Sequence, residues 1–252
     1  MTMRLRTLAL AMLLVPSSLL AQRRAAATPK TYVIVHGAWG GGWDWRGVDS
    51  ALTARGHRVH RVTLTGLGER VHLANAGIGL QTHILDVVNT IRFENLRNVI
   101  LVGHSYGGMV VTGAADQIAD RIRNVVYVDA FLPESGQSAA MLAGAGFNEM
   151  VAASAKDGMI IPAWVKPTDA MPTDVPHPVK TLTDTLLLTN VVARALPGHY
   201  ILTIDKGATT DSFSPSADRA ISRRWPIDTL ITDHTPERSA LPALARILLS
   251  VR

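Results

Sequence analysis

No cysteine occurs among the 252 residues, which excludes a disulfide framework, a thiolate metal site, a cysteine nucleophile and lipoprotein attachment. Any nucleophile must therefore be Ser, Thr, Asp, Glu or Lys. A block of like charge is missing as well. The 25 Lys and Arg are interspersed with 20 Asp and Glu, and only short basic clusters such as Arg23-Arg24 and Arg223-Arg224 break the mixture. The net charge of +5 thus lacks the concentrated basic face that nucleic acid requires, and no nucleic-acid partner is expected. There is no H-E-x-x-H, no carboxylate and histidine cluster at metal spacing, and no Lys or Thr placed behind the glycines as in a phosphate loop. Neither a metal nor a nucleotide cofactor is therefore expected. Internal repeats and low-complexity tracts are absent beyond the first residues. A composition of 47% hydrophobic and 18% charged residues suits one large or two small globular domains.

The N-terminus is a separate object. Arg4 and Arg6 precede an acid-free apolar run from Leu8 to Ala21, the basic and hydrophobic regions of a secretory signal peptide. The run is short for a membrane span. The expected organisation is a signal peptide over 1–21, with cleavage as late as 27, a linker over 22–30 and a single domain over 31–252. An exported, periplasmic or secreted, protein without stable membrane insertion after cleavage follows, and an oxidising compartment suits a chain without cysteine.

From Thr31 short β-branched runs alternate with longer amphipathic stretches, which predicts an α/β protein on a mostly parallel sheet. Strands are expected at Tyr32 to Val35, Arg58 to Val62, Val99 to Gly103, Asn124 to Val128, Tyr200 to Ile204 and Ile227 to Ile231. Helices are expected at Trp45 to Arg55, Thr82 to Glu94, Tyr106 to Ala119, around Ser216 to Arg224, and Pro242 to Ser250. Leu241, Leu244, Ile247, Leu248 and Val251 recur at helical spacing, so the last helix should pack on the sheet. Between Pro133 and Pro197 the alternation stops. A structureless stretch of that length is improbable in a compact domain, so about 133–197 reads as a small helical cap inserted between two strands. Met141, Met150, Met159 and Met171 lie in it, as pocket lining or as core filling.

Gly103-His104-Ser105-Tyr106-Gly107 matches G-x-S-x-G between a strand and a helix, the setting of a nucleophile elbow, and makes Ser105 the candidate nucleophile. A serine needs a base. Of nine histidines, His234 is favoured because it follows the last strand and precedes the last helix, at the edge where the elbow opens. His104 should point away from the site; His36, His57 and His60 border strands, and His177 and His199 belong to or border the cap. The acid should also lie just past a strand end. Asp205 and Asp129 both do, with Asp211 and Asp233 further behind. Val35 to Trp43, rich in glycine after the first strand, would supply an oxyanion donor from Ala38 to join the Tyr106 N–H.

These residues resemble the α/β-hydrolase superfamily, in the branch of plant methylesterases, hydroxynitrile lyases and similar bacterial esterases. The likeness runs from about Thr31 to the C-terminus through VHGAWGGGWDW (Val35 to Trp45), LTGLGER (Leu64 to Arg70), GHSYGG (Gly103 to Gly108), TIDKG (Thr203 to Gly207) and Asp233-His234. The resemblance implies an α/β-hydrolase fold with Ser105, Asp205 and His234 as the triad and Ala38 and Tyr106 as the oxyanion hole. It further implies a cofactor-free enzyme with a cap over an apolar pocket. Trp39 and Trp164 then become candidate pocket walls, Trp164 alternatively a buried cap residue. Where family esterases carry Met after the histidine, this chain has Thr235 and Pro236. Where the cyanohydrin-cleaving members carry threonine and lysine, it has Gly37 and Thr235. The activity implied is hydrolysis of small to medium apolar carboxylic esters through an acyl-enzyme on Ser105, against a lyase or carbon–carbon hydrolase on the same scaffold, or a binding protein without turnover.

Overall fold

A strand covered on both faces reads as a near-continuous apolar run, and the inner strands of this chain meet that condition, while the two edge strands, RVHRV and IDTLI, carry polar residues and are only partly buried. In the computed structural model, which describes residues 28–252, inner and edge strands form a six-stranded sheet in the order β2-β1-β3-β4-β8-β9, every pairing parallel. The strands are β1 (Thr31–Val35), β2 (Arg58–Val62), β3 (Val99–His104), β4 (Ile122–Val128), β8 (Gly198–Ile204) and β9 (Ile227–Ile231). Three short strands, β5 (Ala155–Lys156), β6 (Met159–Ile160) and β7 (His177–Pro178), form a separate antiparallel sheet. The helices are α1 (Arg46–Thr53), α2 (Leu80–Phe93), α3 (Gly107–Ile118), α4 (Ala139–Ser154), α5 (Val179–Thr183), α6 (Val191–Arg194), α7 (Ser214–Ser222), α8 (Pro236–Ser239) and α9 (Leu241–Ser250). This is the α/β-hydrolase fold expected from the sequence. The signal segment, under either cleavage choice, lies outside the described residues.

Side chains alternate across the sheet. Val33, Leu101, Val125 and Tyr200 pack with α2, α3 and α7 in one core, while Ile34, Val102, Val126 and Ile201 join Val48 and Leu52 of α1 and Leu244 and Leu248 of α9 in the other. The periodic apolar stripe of α9 therefore lies on the sheet as its spacing predicts. The Lys30 ammonium caps the end of α9 at the carbonyls of Leu249 (2.7 Å) and Val251 (2.5 Å); a cation at a helix C-terminus contributes about 0.3–1 kcal/mol.

Two differences from the sequence reading have local causes. β8 begins at Gly198 rather than Tyr200 because the glycine, which reads as a strand breaker, leaves room for Trp225: a Cβ there would fall 2.2 Å from its ring. The insertion between β4 and β8 is mixed rather than wholly helical. Its strands are two residues each, too short for a period to register, and α4 breaks at Gly144 (φ 80°). Among the described residues no helix is long and apolar enough to cross a membrane.

Candidate active site

The carboxyl ends of the parallel strands converge on one edge, and three residues there leave the strands with positive φ: Trp39 (63°) after β1, Ser105 (53°) after β3 and Asp129 (44°) after β4. Each such conformation costs about 1–3 kcal/mol and persists only where its surroundings impose it. At Ser105 the imposing elements are visible. Its N–H donates to Val128 O and its carbonyl accepts from Phe131 N, both at 3.2 Å. A Cβ at Gly103 would lie 2.6 Å from Val111 Cγ2, and one at Gly107 would lie 2.7 Å from the carbonyl oxygens of Val35 and His36. Only glycine fits at either flank, and the turn between them lifts Ser105 off the sheet.

His234 Nε2 lies 2.9 Å from Ser105 Oγ, and His234 Nδ1 lies 2.6 Å from Asp129 Oδ2. A carboxylate only accepts, so Nδ1 carries the proton and the Nε2 lone pair faces the serine hydroxyl. Asp129 is fully buried, and its oxygens also accept from Thr203 N at 3.1 Å and Thr203 Oγ1 at 2.7 Å. The imidazole is fixed on two further sides. His104 Nε2 donates to the His234 carbonyl at 2.8 Å, and Phe213 stacks on the ring, 2° from parallel with centroids 5.0 Å apart. Burial works against the His234 cation, but the hydrogen bond and charge of Asp129, with Asp211 and Glu237 adding to them, outweigh it and hold the pKa above the ordinary imidazole value.

The acid beside His234 is thus Asp129 and not Asp205. Thr203 is the last residue of β8 directed at the site, and the chain leaves the strand at Ile204, so Asp205 begins a turn (Ala208 N to Asp205 O, 2.9 Å) and is exposed. Asp233 closes a local turn by accepting from Thr235 N and Ser239 Oγ, each at 2.8 Å. Asp211 accepts from Phe213 N at 2.8 Å. The signal for Asp129 was present in Val126-Tyr127-Val128-Asp129, an acid one step past the strand neighbouring that of Ser105, but nothing in the sequence ranks it above Asp205.

The backbone N–H groups of Ala38 and Tyr106 take no partner among the hydrogen bonds of the described residues. Both residues line the cavity that holds Ser105 and His234, about 390 Å³ in volume. Its walls are mostly aromatic and aliphatic: Trp39, Phe131, Phe147, Met150, Trp164 and Phe213. Trp39 and Trp164 meet edge to face at 5.1 Å, and Trp164 is half exposed at the rim with its indole N–H on Asp174 (2.8 Å). Of the four cap methionines only Met150 lines this cavity; Met141 and Met171 are exposed. A larger and more open cleft of about 600 Å³ beside Trp43, Arg46 and Arg61 contains neither Ser105 nor His234.

Three more histidines lie around the loop after β1 and Tyr106 as buried neutral groups. Burial depresses His36 and His83 to about 4 and His177 well below 6.5. His36 donates from Nδ1 to Gly37 O (2.7 Å) and accepts at Nε2 from Leu64 N (3.1 Å). His83 donates from Nε2 to Thr65 O and accepts at Nδ1 from the Tyr106 hydroxyl, both 2.9 Å. Among the described residues no three His, Asp or Glu side chains converge as a metal site would require.

The model of the alpha/beta hydrolase family matches residues 32–246. Over 107 residues the chain is 57% identical to a carbendazim hydrolyzing esterase of Nocardioides sp. (strain SG-4G), a stretch covering 42% of this chain and 44% of that one. Over 118 residues it is 34% identical to Methylesterase 2 of Arabidopsis thaliana, covering 42% of this chain and 41% of the relative. The matched stretches thus span less than half the length of these curated relatives. Among solved structures, an extracellular alpha/beta-hydrolase from a Paenibacillus species, described as sharing structural and functional homology with tobacco Salicylic Acid Binding Protein 2, superposes with a TM-score of 0.74 at 25% identity, covering 88% of this chain and 98% of that chain.

Proposed function

This chain belongs to the alpha/beta hydrolase family, and on that premise we propose that it hydrolyses small to medium apolar carboxylic esters through an acyl-enzyme on Ser105. The observation that carries the reading is the unbroken relay from Asp129 through His234 to Ser105, opening into an apolar cavity of about 390 Å³. His234 Nε2 takes the Ser105 proton as Oγ adds to the ester carbonyl. Charge developing on the carbonyl oxygen is met by the Ala38 and Tyr106 N–H groups. The tetrahedral intermediate collapses with transfer of the Nε2 proton to the departing alcohol, leaving the acyl group on Oγ. Water then gives a proton to the same nitrogen and adds to the acyl carbon, and Ser105 leaves with that proton as the acid is released. The names of the esterase relatives agree with this chemistry.

The same scaffold can be adapted to cyanohydrin cleavage, for which the departing cyanide anion calls for a nearby cation. Thr235 beside His234 supplies none. Gly37 offers no hydroxyl, and a Cβ there would crowd Ser105 Cβ at 3.1 Å. Purified protein is expected to hydrolyse phenyl, naphthyl or methyl esters with multiple turnover and to release no cyanide from mandelonitrile above the uncatalysed rate. Enzyme-dependent cyanide without ester turnover would overturn the esterase reading in favour of the lyase, and a single stoichiometric burst would favour a binding protein.

Export is proposed from Arg4, Arg6 and the run to Ala21, in keeping with the extracellular Paenibacillus hydrolase. Intact-mass measurement on protein from periplasm or medium should place the mature N-terminus between Gln22 and Thr28, whereas a full-length chain in the membrane fraction would contradict it.

A further inference from the structure

Trp39 follows the oxyanion donor Ala38 and is held in the left-handed region at φ 63°, where a bulky residue stays only if its surroundings fix it. All three of its polar groups are fixed, and all three by the insertion. Its N–H donates to His177 Nδ1 at 3.2 Å, its carbonyl accepts from Val175 N at 3.0 Å, and its indole N–H donates to Ile160 O at 3.3 Å. These partners come from β6, β7 and the segment just before β7, at sequence separations of 121 to 138 residues. Neighbouring rings close the packing, with Phe147 of α4 at 6.4 Å and Trp164 at 5.1 Å.

We propose that the cap is a working part of the oxyanion hole, and that His177 is a positioning residue which sets the Ala38 N–H by holding the backbone of Trp39. The inference rests on the ester-hydrolase reading above and adds a role for a residue outside the triad.

The chemistry of His177 suits the task. Thr181 Oγ1 donates to Pro178 O at 2.8 Å, so it must accept from His177 Nε2–H at 2.7 Å. That fixes the neutral tautomer with its Nδ1 lone pair aimed at the Trp39 N–H. The ring is fully buried and meets Tyr106, the second oxyanion residue, edge to face at 5.1 Å. His83, also buried and neutral, lies 6.0 Å from it and binds the Tyr106 hydroxyl. Tyr106 and the peptide that follows Ala38 are therefore braced against the same buried histidine. A cap that shifts away from the sheet releases Trp39 from its strained conformation and turns the Ala38 N–H away from the reacting carbonyl. Seating of the cap and assembly of the hole become one event.

The test compares His177→Leu with His177→Asn in the full protein. Asn Oδ1 occupies the position of His Nδ1 and keeps the acceptor for Trp39, whereas Leu removes it at similar bulk. With p-nitrophenyl butyrate, loss of one oxyanion donor costs about 100- to 1,000-fold in kcat, and a displaced donor part of that, so His177→Leu should lower kcat by about 10- to 100-fold with KM changed less than about threefold. His177→Asn should stay within about threefold of wild type in kcat. Amide hydrogen exchange over residues 38–40 should accelerate in the Leu variant and not in the Asn variant, a readout independent of turnover. Equal losses in both variants, an effect confined to KM, or unchanged exchange in the Leu variant would each overturn the proposal. A wild-type protein that turns over no ester yet shows the exchange difference would locate the failure in the functional reading and leave the clamp standing.

Discussion

Ser105→Ala is expected to lower kcat for ester hydrolysis by up to about a million-fold, as when a triad that works as a unit loses its nucleophile, while the melting temperature changes by no more than a few degrees. The two halves of that expectation have separate origins. Ser105 Oγ has one partner in the structure, His234 Nε2, so its removal leaves no other buried group unsatisfied. Alanine keeps the Cβ, and the positive φ is imposed by the backbone bonds to Val128 and Phe131 rather than by the hydroxyl. A fluorophosphonate probe should label the wild type at Ser105 and leave the variant unmodified. Labelling at another serine, or retained turnover in the variant, would remove Ser105 from the mechanism.

Asp129→Asn should cost about ten-thousand-fold in kcat, the scale seen when the triad acid becomes an amide, and Asp205→Asn less than about twofold. The amide has one oxygen, and the Thr203 N–H, which can only donate, demands it at the Oδ1 position, while the Thr203 hydroxyl at Oδ2 can turn to accept. Its NH2 is then turned toward His234 Nδ1, which must accept, and the ring proton moves to Nε2, where it blocks removal of the Ser105 proton. The pH profile gives an independent check. Only neutral His234 can act as base, so kcat/KM should rise with pH, and because the folded protein holds the imidazole above its ordinary value the inflection should lie above about 6.5. Without the Asp129 charge it should move down. A dead Asp205→Asn variant beside an active Asp129→Asn would reverse the assignment.

That contrast also shows where the sequence stopped being informative. The inner strands of the main sheet were legible because burial on both faces leaves an uninterrupted apolar run, as in Val99 to Val102. Ser105 was legible because its turn admits only glycine at 103 and 107, and His234 because it stands between the last strand and the last helix. Asp129 and Asp205 carry identical local signals, each an aspartate one step beyond an apolar strand. What separates them is the exit of the chain from β8 at Ile204, set by tertiary packing. The two-residue strands of the cap have no period to read. The clamp on Trp39 joins residues more than a hundred positions apart, which no local pattern encodes.

The placement of the acid on β4 bears on how such a fold can diversify. Nucleophile and acid stand on adjacent strands, both completed before the cap begins, and β8 supports the acid from within the strand, through the Ile201 carbonyl, Thr203 and the Tyr200 hydroxyl on Ala130. The segment 204–212 therefore carries no member of the relay, yet Asp211 and Ser212 face the cavity. Had the acid stood at 205, any change in that loop would have put the chemistry at hazard. As built, the turn over 204–210 can be lengthened, shortened or recharged, and substrate preference can drift there while β3 and β4 hold the nucleophile and acid; only at its end, where Asp211 adds its charge beside His234 and binds the N–H of Phe213 under the imidazole, is the loop tied to the base.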